Sequence, residues 1–353
     1  MRFNDFEKYL KKEKIGLALI FNSKLKDPNF FYFSNVNPDD SILLISPKFP
    51  AKVYCSPLEF LQYKNKSIIK NFYEITKKSR GNILKLVRKY RIKKIGVSFS
   101  SLTVKELKRL KKMIPKVKFV DITMPLRELR AVKTTKELVN IKKACSLSEM
   151  IWKKAVKKIK RLKTESKLRD FIDNEIKKLR CENAFPTIVA SGKNSAIPHY
   201  SPQNKNINGF CVVDFGVKYN GYCSDITRTI FVGKANKKDK EMYDLVYKTK
   251  EYAFSLIKKG VKAAKVSMMS RKFLGKYGKY FIHGLGHGFG IEIHEFPSMK
   301  ENSWCHFVPN MVFTIEPGVY FKNKYGIRIE DDYLLTYKGV VRLTKAPSKL
   351  LNI

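Results

Sequence analysis

FCVVDFGVKYNGYCSDITRTIFV, residues 210–232, predicts a β-hairpin that the rest of the chain can be organised around. Two runs rich in Val, Ile, Thr and aromatic residues flank Asn220-Gly221. Asn-Gly is the strongest short hairpin signal, because both central residues of a type I′ turn need a positive φ. We therefore predict that the chain reverses at Asn220-Gly221, with Tyr219 facing Tyr222.

Two acids of this hairpin share one face. The same register places Asp214 opposite Thr227 and Asp225 opposite Gly216, so the acids are diagonal neighbours with Cα atoms about 7–8 Å apart. Two carboxylates beside apolar residues are costly unless a cation lies between them. The pair is therefore a candidate metal site, but on this hairpin alone two acids on a solvated face are the more common arrangement.

The composition is typical of a globular chain. Its 353 residues are 44% hydrophobic, enough for two domains with a core each. No apolar run approaches the ~18–20 residues of a membrane span, and the N-terminus shows no secretory signal. Six cysteines are scattered without a CxxC pair, as in proteins with reduced thiols. We therefore expect a cytoplasmic protein without a membrane partner.

The net charge is strongly positive. The chain has 72 Lys and Arg against 31 Asp and Glu, a formal charge of +41. Such an excess attracts polyanions, so non-specific, salt-sensitive nucleic-acid binding is one interpretation. The basic residues are spread along the whole chain, however, and a charge surplus without a reading motif specifies no partner.

Residues 1–130 are predicted to form an α/β domain. Apolar runs of strand length at 41–46 and 94–97 alternate with apolar residues at helical spacing, as at 104–113. The aromatic run Phe30–Phe33 is interpreted as a core strand rather than a ligand platform. This domain contains no histidine and no evident catalytic cluster.

Residues 131–353 are predicted to form a second domain. Thr134 and Glu137 form a capping box that opens a helix. Helical spacing then runs to about Cys181, and strands including the hairpin follow. Two more helices precede a glycine-rich stretch and a last group of strands. The order of a helix pair followed by strands with two acids thus occurs twice.

A histidine-rich motif, FIHGLGHGFGIEIHE, occupies residues 281–295. Glycines at every second position from 284 to 290 disfavour a helix and suit an extended segment that another group approaches closely. A lone histidine is usually structural, but three among these glycines indicate a candidate site. Strict alternation would place His287 and His294 on opposite faces, so a shared site needs a bend.

The third motif consists of VFTIEPGVYF, residues 312–321, and GIRIEDDYLLT, residues 326–336. Glu316 ends an apolar strand at a Pro-Gly turn, and Glu330 is predicted to lie in the next strand with Arg328 on the same face. Acids among apolar residues are seldom buried unpaired. Asp331 and Asp332 are interpreted as outward-facing or as supporting the site.

Together the motifs supply a donor set for metal. Its members are four carboxylates and one imidazole: Asp214, Asp225, His287, Glu316 and Glu330. These donors suit a hard or borderline divalent ion such as Mn²⁺, Co²⁺, Fe²⁺ or Zn²⁺. Four negative charges exceed what one structural ion needs and match two ions about 3.5–4 Å apart.

These motifs resemble the pita-bread metallopeptidases, most strongly the Xaa-Pro branch of prolidase and aminopeptidase P. The resemblance rests on DFG…SDITRT, HGLGHGFGIEIHE, TIEPGVY and GIRIEDD and extends from about Leu126 to Ile353. It implies an α/β (α+β) architecture, in which a creatinase-like N-terminal α/β domain precedes a pita-bread domain with a curved antiparallel sheet flanked by helices.

The resemblance also implies roles for the site residues. Asp214 would bind one ion, Asp225 and Glu330 would bridge two, and His287 and Glu316 would bind the other. A metal-bridging hydroxide would attack the scissile carbonyl, with Glu316 as general base. The further site residues it implies are His283 and His294 at substrate or intermediate, His199 beside the proline, and Thr227, Tyr320 and Arg328 orienting the ligands.

The resemblance further implies a hydrolase for Xaa-Pro dipeptides or short peptides, with two divalent ions per subunit, Mn or Co favoured, and a homodimer. Ser298 stands where prolidases often have an arginine, and Lys300 is the nearest cation, so dipeptidase and aminopeptidase P activity both stay open. Asn310 replaces a glycine before the Glu316 strand, and asparagine tolerates the left-handed conformation such a turn needs. The alternatives are a non-catalytic nucleic-acid- or protein-binding module on this fold and, more weakly, a methionine aminopeptidase.

Overall fold

The computed structural model describes residues 2–353, with only the backbone described for residues 2 and 77–80. The chain divides into two compact units, Met1–Arg130 and Ala131–Ile353. In the described part of the chain, no helix is both long and apolar enough to cross a membrane.

The N-terminal unit is built on a six-stranded mixed sheet in the order β4-β3-β2-β1-β5-β6. Its strands are β1 Leu17–Asn22, β2 Ser41–Ser46, β3 Phe49–Cys55, β4 Asn71–Glu74, β5 Lys94–Val97 and β6 Lys118–Asp121. Its helices are α1 Arg2–Lys12, α2 Pro28–Ser34, α3 Pro57–Lys64, α4 Lys77–Lys89, α5 Val104–Met113 and α6 Thr123–Ala131. Leu17, Leu19, Ile95 and Val97 of the central strands are fully buried, which confirms the α/β interpretation.

The aromatic run Phe30–Phe33 lies in helix α2, so its prediction as a strand was wrong. Asp27 caps the helix by accepting a hydrogen bond from the Asn29 backbone N–H at 2.9 Å, and Pro28 occupies the first turn. A side-chain cap followed by proline favours a helix start and outweighs the strand preference of aromatic residues. The core placement was correct, since Phe30 and Phe33 are fully buried.

The C-terminal unit contains five α-helices, two short 3₁₀ helices and thirteen strands among the described residues, and every strand pairing within it is antiparallel. The helices are α7 Thr135–Val156, α8 Ile159–Leu162, α9 Glu165–Lys178, α10 Lys237–Leu256 and α11 Ala263–Phe273. The first strands are β7 Glu182–Asn183, β8 Ile188–Ser191, β9 Gly209–Phe215, β10 Val217–Tyr219, β11 Tyr222–Cys223 and β12 Ile226–Val232. The remaining strands are β13 His287–Gly288, β14 Glu295–Ser298, β15 Val312–Ile315, β16 Gly318–Phe321, β17 Tyr325–Arg328, β18 Asp331–Thr336 and β19 Gly339–Arg342. The capping box of Thr134 and Glu137 is present at the start of α7.

The hairpin has the predicted register. Tyr219 pairs with Tyr222, and Asp214 pairs with Thr227. Asn220 and Gly221 have φ values of 48° and 80°, as a type I′ turn requires. The ladder divides at Gly216, since β10 and β11 join one sheet while β9 and β12 join another. A Cβ atom at Gly216 would lie 2.1 Å from the carbonyl oxygen of Ser224, between β11 and β12, so only glycine fits there.

Glu316 and Glu330 also lie where the chain passes between sheets. β15 pairs with β18, whereas β16 and β17 pair only with each other among the described strands. Glu316 lies between β15 and β16, and Glu330 lies in the gap between β17 and β18. The prediction that Glu330 belongs to a strand was therefore wrong. The strand gap turns its side chain toward Thr227 of the hairpin, to which it is hydrogen-bonded.

Candidate metal centre

Three predicted ligands converge at one point. Asp225, His287 and Glu330 each place one donor atom within 4.8 Å of the others. The Nε2 atom of His287 lies 3.6 Å from Asp225 Oδ2 and 3.4 Å from Glu316 Oε1. Two carboxylates and an imidazole at this spacing, with a third carboxylate beside them, form a donor set for a divalent ion.

The glycine-rich segment is held against the Glu316 strand. A Cβ atom at Gly286 would lie 2.1 Å from the Thr314 carbonyl oxygen, so the close approach expected of these glycines occurs here. The hydroxyl of Thr314 accepts a hydrogen bond from the His287 backbone N–H at 3.1 Å and donates one to Glu316 at 3.3 Å. Thr314 was not predicted, although strand alternation places it on the face of Glu316 two residues later.

The bend that a site shared by His287 and His294 requires is present. β13 and β14 pair antiparallel with a register shift, so the segment folds back and the two imidazole rings lie 4.4 Å apart, centroid to centroid. Glu295 Oε1 accepts hydrogen bonds from two backbone N–H groups of the intervening loop at 3.0 and 3.2 Å. Its other oxygen pairs with buried Lys133 Nζ at 2.9 Å. This buried ion pair, which the sequence did not suggest, anchors the loop that ends at His294.

Asp214 is tied to the other acids through Arg328. The guanidinium of Arg328 donates to Asp214 Oδ2 at 2.6 Å, to Tyr320 Oη at 2.7 Å and to Thr227 Oγ1 at 3.2 Å. Thr227 in turn donates to Glu330 Oε2 at 2.6 Å. The three residues predicted to orient the ligands therefore form one hydrogen-bonded network between Asp214 and Glu330.

Several carboxylate oxygens at this point are uncompensated. Among the described residues, Asp214 Oδ1, Asp225 Oδ1 and Glu330 Oε1 are buried without a hydrogen-bond partner. Burial, and then the neighbouring acids, raise the pKa of Asp225 and Glu330 well above the ordinary range. Burial raises the pKa of Glu316 to about 8, with Arg328 opposing and Asp214 adding to the shift. A cation would remove this repulsion and satisfy the unpaired oxygens, so the residues fit divalent metal.

Two half-buried histidines, His283 and His287, are held as neutral imidazoles. Burial is the largest cause that lowers the pKa of both His283 and His287 to about 3. His287 Nδ1 lies 3.1 Å from the Gly288 carbonyl oxygen, to which it donates, so the Nε2 lone pair faces the acids. His283 Nδ1 likewise donates to a backbone carbonyl, and its Nε2 accepts from Tyr320 Oη at 2.9 Å.

The remaining histidines differ in their placement. His294 and His199 both have exposed side chains. Partial desolvation of the His294 ring, and then the charge of His199, lower the pKa of His294. His199 also contributes to the lowered pKa of His283, after burial and Arg328. The backbone of His306 pairs with that of Lys262 instead.

Asp331 and Asp332 are fully buried, which rules out the outward-facing alternative and leaves the interpretation that they support the site. Asp332 Oδ2 accepts hydrogen bonds from the Asp225 backbone N–H at 2.9 Å and from Cys145 Sγ at 3.2 Å. Asp331 pairs with Arg228, 103 positions away in the chain. Partners so distant leave no local pattern, which is why the sequence did not identify them.

Two family models match the chain. Residues 2–132 match the creatinase/prolidase N-terminal domain, and residues 139–337 match metallopeptidase family M24. The chain belongs to metallopeptidase family M24. The family assignment confirms the predicted resemblance, the fold class and the identification as a metallopeptidase, and it implies divalent metal ions.

Named relatives of this M24 peptidase align over nearly its whole length. It is 34% identical to the Xaa-Pro dipeptidase of Pyrococcus horikoshii over 97% of this chain and 96% of that protein. The crystal structure of a prolidase from P. horikoshii superimposes with a TM-score of 0.90 at 34% identity and covers 99% of both chains. An X-Pro aminopeptidase from Thermotoga maritima superimposes with a TM-score of 0.87 at 31% identity, covering 96% of this chain and 98% of that chain.

Proposed function

We propose that this M24 peptidase hydrolyses the Xaa-Pro bond of dipeptides or short peptides with two divalent metal ions. The observation that carries the proposal is the convergence of Asp225, His287 and Glu330 within 4.8 Å of one another, beside Glu316. The names of the aligned relatives, Xaa-Pro dipeptidase, prolidase and X-Pro aminopeptidase, support the substrate class.

The proposed ligands are the five residues of the predicted donor set. Asp214, which is electrostatically coupled to Asp225 and Glu330, is assigned to one ion. Asp225 and Glu330 are assigned to both ions, and His287 and Glu316 to the other. When bound, such a pair lowers the pKa of a water and polarises a carbonyl oxygen. Mn²⁺ and Co²⁺ are proposed from the predicted resemblance.

The chain's own residues supply the proton transfer and the substrate contacts. Glu316 lies 3.4 Å from His287 Nε2 and is proposed to accept and return the proton of the attacking water as general base. His294 is proposed to donate a hydrogen bond to the substrate carbonyl. Both ring nitrogens of His283, predicted for the same role, are engaged by the Gly284 carbonyl oxygen and Tyr320 Oη, so His283 is proposed to orient Tyr320 at the site. His199 is proposed to contact the proline ring. These roles belong to residues 131–353, which we propose as the catalytic domain, with residues 1–130 as a separate creatinase-like domain.

The length of the peptide substrate depends on the surroundings of Ser298. Ser298 pairs with His287 across the β13–β14 ladder, so it lies beside the proposed ligands. A neutral serine at this position provides no cation for the carboxylate of a dipeptide. We therefore propose that peptides longer than dipeptides are also accepted.

The test is hydrolysis of Xaa-Pro, Xaa-Pro-Yaa and Met-Ala peptides by metal-stripped protein resupplied with Mn²⁺, Co²⁺, Fe²⁺ or Zn²⁺. We expect metal-dependent cleavage of the proline peptides only. Asp214→Asn should lower both activity and metal content, whereas Asp170→Asn, at an exposed acid paired with Arg169, should change neither.

Two outcomes would contradict the proposal. Full activity of Asp214→Asn with unchanged metal content would refute the assignment of ligands. Absence of both metal binding and hydrolysis, together with salt-sensitive binding of nucleic acid, would favour the non-catalytic alternative that the charge of +41 suggests.

A further inference from the structure

A second charged cluster lies directly behind Glu330. Its centre is Arg228 of β12, whose side chain is 2% exposed. The guanidinium donates to Asp331 Oδ1 at 2.6 Å and to the Glu330 carbonyl oxygen. Three more backbone carbonyl oxygens accept from it, those of Thr227 at 2.9 Å, Ala346 at 2.7 Å and Pro347 at 3.0 Å. One side chain thus joins β12, the gap before β18 and the segment 346–347.

The cluster is completed by Lys250 of α10, which is fully buried. Its ammonium group forms an ion pair with Asp331 Oδ2 and lies 3.1 Å from Ser348 Oγ. Thr344 Oγ1 donates to Asp331 Oδ1 at 3.1 Å. Asp331 therefore has charged or polar partners on both oxygens, and the cluster needs no added cation.

Arg228 acts on Glu330 through the main chain. The Thr227 carbonyl oxygen accepts hydrogen bonds from Arg228 Nη1 and from the Glu330 backbone N–H, the latter at 3.1 Å. The Glu330 carbonyl oxygen is held by the same guanidinium. Both peptide groups of Glu330 are thereby fixed, although this residue lies in a gap between strands and lacks the support of a ladder.

We propose that Arg228 is a positioning residue for the metal centre: by fixing the main chain of Glu330, it holds the carboxylate where it can bridge two ions. The inference rests on the proposed function, because it takes Glu330 as a ligand. Arg228 contacts neither substrate nor metal in this arrangement. Groups that orient a ligand typically change metal affinity or activity about 10–100-fold when they are replaced.

The test compares Arg228→Gln and Arg228→Lys with Lys250→Met. Lysine keeps the charge but cannot span the five acceptors, so both Arg228 variants should bind Mn²⁺ and Co²⁺ about 10–100-fold more weakly in calorimetric titrations. Lys250→Met removes a buried partner of Asp331 that does not touch Glu330. It should lower thermal stability at least as much as Arg228→Lys but leave metal affinity unchanged.

Steady-state kinetics at saturating metal provide a second readout. We expect Arg228→Lys to lower kcat with little change in KM, because the substrate does not reach Arg228. Wild-type metal affinity in a folded Arg228→Lys protein, or an equal loss of affinity in Lys250→Met, would overturn the inference and leave Arg228 as a core residue only. Failure of the proposed function can be told apart from failure of this inference, because the wild-type protein would then bind no divalent ion in the same titration.

Discussion

Glu330 and Asp331 are neighbours in the chain, and both are buried, yet their carboxylates belong to clusters of opposite character. Glu330 lies with Asp225 and Glu316 among uncompensated acids, and burial raises its pKa far above the ordinary range. Burial alone would also raise the pKa of Asp331, but Arg228 and Lys250 lower it instead.

The difference shows that a buried charge is informative only together with its partners. A compensated cluster is complete in the protein and stabilises the fold around it. A cluster with an excess of acids and with unpaired oxygens is incomplete, so it indicates a ligand of opposite charge. The peptide bond between Glu330 and Asp331 separates a structural site from a candidate catalytic site.

The most direct way to break the compensated cluster, which consists of Asp331, Arg228 and Lys250, is Asp331→Asn. The change leaves buried Arg228 without its counter-charge and Lys250 with only Glu251 Oε1, 3.8 Å away, so we expect the free energy of unfolding to fall by about 3–5 kcal/mol. Urea unfolding in the presence of a chelator measures this without any contribution from metal. A loss no larger than that of Asp170→Asn, at a surface acid, would show that the cluster contributes nothing.

Removing an acid from the uncompensated cluster of Asp225, Glu316 and Glu330 should have the opposite effect on the stability of the metal-free protein. Glu330→Gln removes one of several repelling acids, so metal-free protein should be as stable as the wild type or more stable. Activity with added Mn²⁺ should fall by at least about 100-fold, since a proposed ligand is lost rather than a group that orients one. Urea unfolding of chelator-treated samples measures the stability of the metal-free protein, and initial rates on an Xaa-Pro peptide measure the activity. A destabilised Glu330→Gln apoprotein would remove the contrast with Asp331.

The pH dependence of the stability of the metal-free protein provides a further test of the contrast between the two clusters. Glu316 has its pKa raised from 4.5 to about 8, so the folded state binds more protons than the unfolded state between these values, and stability falls as pH rises. His283 and His287, with pKa values lowered from 6.5 to about 3, act in the opposite sense but only below pH 6.5.

Between pH 6.5 and 7.5 the acids therefore dominate. We expect the metal-free protein to lose up to about 1.4 kcal/mol of stability per pH unit for each such carboxyl. Lys250, with a pKa of about 8, and Asp331, with a lowered pKa, titrate mainly outside this window. Saturating Mn²⁺ should abolish the slope, and thermal unfolding with and without metal measures it. A flat profile for the metal-free protein would contradict the proposed repulsion.

A backbone variant that touches neither cluster sets the baseline. Asn310 has a left-handed φ of 69°, as predicted from its place before the Glu316 strand. Asn310→Ala should lower stability by about 1 kcal/mol, because alanine is disfavoured in this region, whereas Asn310→Gly should be nearly neutral. Both variants should keep wild-type activity per folded molecule and wild-type metal affinity. A change in metal affinity in Asn310→Ala would mean that any loss of protein stability weakens metal binding, whichever residue is changed.

The parts of the site with local signals were predictable from the sequence. The Asn220-Gly221 turn alone determines that Asp214 faces Thr227, and the alternating glycines locate the close approach beside His287. Glu330 was included in the predicted donor set even though its strand assignment was wrong, because its place among apolar residues does not depend on the strand.

The compensated cluster could not be predicted in the same way. Lys250 and Asp331 are 81 positions apart, and no repeat, turn or periodicity links them. The bend that brings His294 to His287 depends on Lys133 and Glu295, which are 162 positions apart. Such partners are brought together only by the tertiary fold, so a single sequence contains no local signal of the pairing.

The bond between Thr227 and Glu330 closes a loop of 103 residues, and this separation has a kinetic consequence. Contacts so far apart form late, after most of the chain entropy has been lost. The proposed ligands are therefore too far apart in the unfolded chain to hold an ion together. Metal can bind at this site only in molecules that have already folded. By mass action, the metal concentration would set the stability of the folded protein but would not direct its folding.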